Sequence, residues 1–167
     1  MNSPADSQAL SHSLPQNVHH LIPEDFTRYT VRGLLDEVRL LMAQESALQY
    51  RLAAVLRELD GRDHVDGRPM RLARWLHHVF GVTFGTAREK VRTARALGSL
   101  PLIDAAFRDG QLSYSKVRAL TRVATPENET ELLAAARQTS AEGVEQLVRR
   151  MKQDACLLYT SPSPRDS

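Results

Sequence analysis

The chain has 167 residues, 22 Lys and Arg against 20 Asp and Glu, a formal net charge of +2 and one cysteine, Cys156. That length suits one domain with a lead segment and a core that needs no staples, and the cysteine usage excludes a disulfide framework and a Cys-based zinc site. No apolar run approaches the about 20 residues that span a bilayer, and MNSPADSQALSHSLPQNVHH lacks the basic start and apolar stretch of a secretory signal, so a bacterial cytoplasmic location is expected.

Residues 1–22 mix Ser, Pro, Gln, Asn and His without periodicity and read as a disordered lead. His19-His20 falls in it, and two histidines without a third ligand make a poor metal site. A long amphipathic helix is expected over about 30–60. Leu34, Val38, Leu41, Leu48, Leu52, Val55 and Leu59 recur at steps of four and three, with Glu45 interrupting, close to a heptad repeat. At 1.5 Å per residue such a helix is roughly 45 Å long. Its stripe can pack within the domain or on a partner copy. The flanking Val31, Leu35, Met42 and Leu56 widen the apolar face and favour the intramolecular core.

Gly61–Pro69 (GRDHVDGRP) reads as a polar connection. His64 and Asp66 superficially match part of an HNH metal motif, but no strand pattern and no downstream Asn and His accompany them. Met70–Phe80 predicts a helix burying Leu72, Trp75, Leu76 and Val79, with Trp75 as a core anchor and His77-His78 flanking that face. After a turn over 81–85, Thr86 and Glu89 fit a capping box opening a helix to Leu97, which buries Ala87, Val91, Ala94 and Leu97 or Leu100. Pro101 opens the next helix, ending before Gly110. Ser113 caps Tyr114–Ala124, and Thr125-Pro126 starts a helix carrying Glu127, Glu129 and Glu131 at its positive end. Thr139 with Glu142 forms another box, before a last helix turning Val144, Leu147, Val148 and Met151 inward. The expected fold class is all-α: one long amphipathic helix, then a multi-helix array with a helix–turn–helix-like pair.

Charge is unevenly spread. Residues 1–61 carry −3, residues 62–122 carry +7 (12 basic against 5 acidic) and residues 123–155 carry −2. The middle block is either a footprint for phosphate or a solvated arginine-rich surface. Leu72–Phe80, Gly81-Val82-Thr83 and the helix from Thr86 give helix, glycine turn, helix, with Arg88, Lys90, Arg92 and Arg95 on the second helix. Arginine forks onto guanine edges or phosphate, and such a helix fits a major groove. Adding Lys116, Arg118 and Arg122 gives seven candidate nucleic-acid-binding residues. A duplex-DNA partner is the leading expectation, and a protein-interaction or homodimer module built on helix 30–60 is the alternative.

Enzymatic features are sparse. Ser113-Tyr114-Ser115-Lys116 superficially offers a Ser/Lys pair, but Ser113 is better explained as a cap. Asp104 and Asp109 share one short helix without a partner His, and no Gly-rich phosphate loop follows a strand. No catalytic residue, metal ligand, cofactor or small-molecule substrate is expected in this chain.

The stretch ALGSLPLIDAAFRDGQLSYSKVRALTRVATPENE resembles the domain of unknown function 222 family, best over Trp75–Arg150. The resemblance implies a helical domain standing before a C-terminal HNH nuclease domain, with substrate engagement or regulation as its part. The thread LARWLHHVFGVT, AREKVRTARALGSLP and FRDGQLSYSKVRAL also resembles the DNA-binding core of ParB-type partition proteins, departing from it in a turn, FGVTFGT, one residue longer than usual. The C-terminal CLLYTSPSPRD reads as a translated sequencing adapter rather than a native Ser/Pro tail. The expected layout is therefore a lead over 1–22, a helical domain over 23–155, and a non-native tail over 156–167 truncating the chain before any nuclease domain.

Overall fold

The computed structural model describes residues 25–62, 64–65, 68–69 and 72–160. The expected disordered lead, His19-His20 and the end of the adapter-like tail lie outside the described residues. Seven helices follow in order: α1 (Val31–Gly61), α2 (Leu72–Phe80), α3 (Phe84–Leu97), α4 (Pro101–Arg108), α5 (Tyr114–Leu120), α6 (Glu129–Gln138) and α7 (Ala141–Thr160). The fold class is all-α. Between α1 and α2, β1 (His64–Val65) and β2 (Arg68–Pro69) pair antiparallel, His64 opposite Pro69 and Val65 opposite Arg68. The stretch expected to be a plain loop is thus a minimal hairpin. No described helix is long and apolar enough to cross a membrane.

The chain divides into two compact units at Met42 and Ala43. In the first, Asp25 accepts from the Thr27 amide, the Phe26 and Tyr29 rings lie 5.8 Å apart, and the Thr30 hydroxyl accepts from the Gly33 amide, capping the start of α1. Val31, Leu34, Leu35, Val38, Leu41 and Met42 are all exposed.

In the second unit α3 is central and packs on α2, α4 and α5, while α4 packs on α6 and α5 on α7. Phe107, Ile103, Leu112, Val117, Leu120 and Val144 fill the core, and the Tyr50 ring meets Phe107 edge-on at 5.6 Å. All five of Ala87, Val91, Ala94, Leu97 and Leu100 are buried, as the period of α3 demands. Val144 and Val148 of α7 are buried, with Leu147 and Met151 packed at the margin.

The long stripe of α1 is not a core face. Ala53 and Leu56 are buried with Tyr50 and Leu59 beside them, whereas Leu48, Leu52 and Val55 are exposed. Of Leu48, Leu52, Val55 and Leu59 in the second unit, Leu59 alone packs on its described core, so the expectation of an intramolecular seam is overturned for this half of the helix. Asp104 of α4 fixes this docking by accepting from Arg57 Nη1 at 2.8 Å and Tyr50 Oη at 3.2 Å. Trp75, expected as a core anchor, is 40% exposed and packs edge-on against Phe80 at 5.5 Å; Leu72 and Leu76 carry the buried face of α2.

Three helix starts differ from those expected. Thr83, not Thr86, caps α3, accepting from the Thr86 amide at 3.1 Å, so the turn after α2 is only Gly81–Thr83, with Gly81 at φ 66°. Ser140, not Thr139, accepts from the Gly143 amide to start α7. Asn128 precedes α6, so Glu127 stays in the turn; its Oδ1 accepts from the Thr125 amide and its Nδ2 donates to the Val123 carbonyl. Ser113 caps α5 as expected, but α5 ends at Leu120 rather than Ala124. Helix α4 ends with Gly110 at φ 73°, where the Gly110 amide donates to Phe107 O and the Gln111 amide to Ala106 O, the Schellman pattern. Helix α7 continues to Thr160, past the Ala155 boundary of the expected layout.

Helix α4 has Pro101 at its first position and no cap of its own, since its N-cap is Leu100. Glu129, 2% exposed, supplies one from α6: its Oε1 accepts from the Ile103 amide at 2.7 Å. Glu129→Ala should leave that buried N–H unsatisfied and lower unfolding stability by about 1–3 kcal/mol. Urea denaturation with an unchanged midpoint would refute this trans-cap.

Candidate nucleic-acid interface

The exposed side of α3 lines a groove of about 580 Å³ with Gly85, Arg88, Glu89, Arg92 and Arg95; Ala73 of α2 and Arg122, just past α5, complete it. Four of the seven candidate residues thus meet in one groove. The spacing explains three of them: 88, 92 and 95 are four and three apart, so they share a helical face beside the buried Ala87, Val91 and Ala94, of which Val91 also lines the groove. Gly85 places the first turn of α3 at the groove, where the amide ends of a helix favour an anion.

The four arginines are held differently. Arg92 is built into the fold: it donates from Nη1 to Thr121 O at 3.1 Å, from Nη2 to Arg118 O at 2.9 Å and to Thr121 Oγ1 at 3.3 Å, and from Nε to Glu89 at 3.1 Å. It donates to carbonyls at the C-terminal end of α5 that have no i+4 partner within that helix. Arg122 Nη2 donates to the other Glu89 oxygen at 2.8 Å. Burial alone would raise the Glu89 carboxyl, but the guanidiniums of Arg122 and Arg92 hold it below the usual range. Arg95 forms a two-pronged pair with Asp60, at 2.7 and 2.8 Å. Arg88 has no carboxylate partner among the described residues and lies over the exposed Phe84 ring at 6.0 Å.

The other three candidates lie outside the groove. Lys90 is half-buried, donates to Gln49 Oε1 at 3.3 Å and sits 5.0 Å from the Tyr114 ring centre; burial lowers its pKa. Lys116 donates to Ala136 O at 2.8 Å, near the end of α6. Arg118 pairs with Glu145 of α7 at 2.6 Å. Sequence could not separate these roles, because the partners of these residues lie 20 or more positions away. Sequence reading also missed Glu89 as a groove residue, assigning its carboxylate to a capping box. Among the described residues no three His, Cys, Asp or Glu side chains gather as a metal site.

The profile described as "Domain of unknown function (DUF222)" matches residues 34–157. The chain belongs to the DUF222 family. No curated protein and no solved structure matches it. The match spans most of α1, the whole groove and α7 as far as Leu157.

Arg92 and Arg88 give opposite expectations. Arg92→Ala should cost about 2 kcal/mol, because buried carbonyls lose a charged donor. Arg88→Ala should stay within about 0.5 kcal/mol of the parent protein, as surface changes do. Thermal melts of the two variants test this, and equal melting temperatures would show that Arg92 is not architectural.

Proposed function

We propose that this DUF222 domain is a non-catalytic module that engages DNA through the arginine groove of α3, as part of an HNH endonuclease-like protein. The observation that carries the reading is the convergence of Arg88, Arg92, Arg95 and Arg122 on one groove with a single interior carboxylate, Glu89. Such a concentration of guanidinium suits phosphate oxygens, which accept forked hydrogen bonds. Helices α2 and α3, joined by the three-residue Gly81–Thr83 turn, have the connectivity of a helix–turn–helix, and α3 would be the helix laid against the duplex. The turn that looked too long for this in the sequence is shortened by the Thr83 cap. The HNH association rests on the family resemblance.

Binding to a labelled duplex should weaken steeply with salt, each neutralised phosphate contributing about 0.9 to the logarithmic slope. Arg88→Ala should reduce the slope by about one unit while leaving the melt unchanged. Fluorescence anisotropy showing no binding at low salt, or binding indifferent to salt, would reject the reading.

A second reading is favoured by α1. In the second unit Leu48, Leu52 and Val55 are exposed although they follow the heptad spacing of a helix–helix seam, and in the first unit Leu34, Val38 and Leu41, at the same spacing, are exposed too. In this reading a second copy covers the stripe, and Glu45, at a seam position, tempers the affinity. Light scattering at about 50 µM should then give a dimer, a typical affinity for a modest interface. Leu48→Glu should return it to a monomer with helicity retained, and a monomeric parent protein would reject the seam.

A further inference from the structure

We propose that Glu89 is a built-in counter-anion of the groove, which holds Arg122 until a DNA phosphate displaces it; this rests on the DNA reading above. The two guanidiniums clamped to Glu89 are not equivalent. Arg92 keeps its hydrogen bonds to Arg118 O and Thr121 O whether or not the carboxylate is there, so it cannot follow an incoming ligand. Arg122 donates to Glu89, with the Glu145 charge also acting on it, and its side chain is about as open to solvent as the Glu89 carboxylate, 33% against 32%. Of the two guanidiniums on Glu89, Arg122 is therefore the one that can trade one anion for another.

That trade has a cost. Arg122 already has an ion pair, so replacing carboxylate by phosphate gains little at that contact, and the released Glu89 faces the phosphate as a like charge. Because neighbouring guanidiniums keep Glu89 ionised, the exchange is governed by competition for Arg122 rather than by titration near neutral pH. The groove consequently binds a polyanion less tightly than its four arginines would allow, which suits a domain that must engage DNA and release it.

The test is salt-titrated anisotropy with a fluorescein-labelled duplex on the parent protein, Glu89→Gln and Arg122→Gln. Glu89→Gln should tighten binding about fivefold and steepen the slope by about one unit, as a freed arginine adds a phosphate contact. Unchanged affinity and slope in a folded Glu89→Gln protein overturn the proposal. Should that variant melt early, Arg122→Gln decides alone: a lowered slope supports the proposal, and parent-like binding overturns it. Parent binding with an unresponsive Glu89→Gln removes the counter-anion but leaves the DNA reading, whereas no binding by either protein removes both.

Discussion

The contact of Arg92 with the end of α5 organises much of the second unit. A helix leaves its last carbonyls without partners, and where those carbonyls are buried something must donate to them. Arg92 reaches from α3 to Arg118 O and Thr121 O and so joins two helices through one planar group. The contact lies where α5 ends at Leu120, just before Arg122 at the groove rim. Lys116 does comparable work at α6, and Glu129 does the mirror-image work at the start of α4. Three helix ends in this fold are thus closed by charged side chains from other helices, so these charges are structural before they are functional.

That order of priority changes how the basic middle of the chain is understood. Residues 62–122 carry +7, yet charge count and available charge are different quantities. Within that block Arg95 and Arg118 meet Asp60 and Glu145, which lie outside it in the sequence. Exposed pairs of this kind contribute little stability individually. Their effect is to hold guanidiniums in place and to lower the field that the cluster presents. What remains toward solvent is a local concentration along α3, narrower than the sequence-wide block.

Much of the fold was legible because local signals agreed with one another. The buried positions of α3 and α7 follow from period alone, Pro101 marks the start of α4, and Ser113 caps α5. The errors are equally physical. Thr86-x-x-Glu89 is a sound capping box in isolation, but Thr83 offers a hydroxyl three residues earlier and Phe84-Gly85 can join the helix, so the upstream cap prevails. That shift decides the site, because Glu89 is released from its supposed backbone duty to meet Arg122. Trp75 was assigned inward by size, whereas Leu72 and Leu76 already complete the buried face of a nine-residue helix. The Asp66-Gly67 dipeptide was an unused hairpin signal. Four of seven basic residues share the groove because helical spacing brings three together; the fourth, Arg122, arrives through tertiary packing that no spacing encodes.

The exposed stripe of α1 follows from the way its C-terminal half is anchored. Ala53 and Leu56 face the core, and Arg57 and Tyr50 are fixed by Asp104, which determines the rotation of the helix about its axis in that half. With that rotation fixed, Leu48, Leu52 and Val55 must point elsewhere, since successive residues turn by about 100° and one helix cannot bury both sets against a single neighbour. Helix 43–61 therefore has two apolar faces, one spent on the domain and one left outward. A lone surface leucine needs no explanation, but a run at heptad spacing does, because each exposed member forgoes the burial that makes apolar residues stabilising. The sequence retains both faces on one helix, and only the face held by the Asp104 contacts finds its partner within the chain.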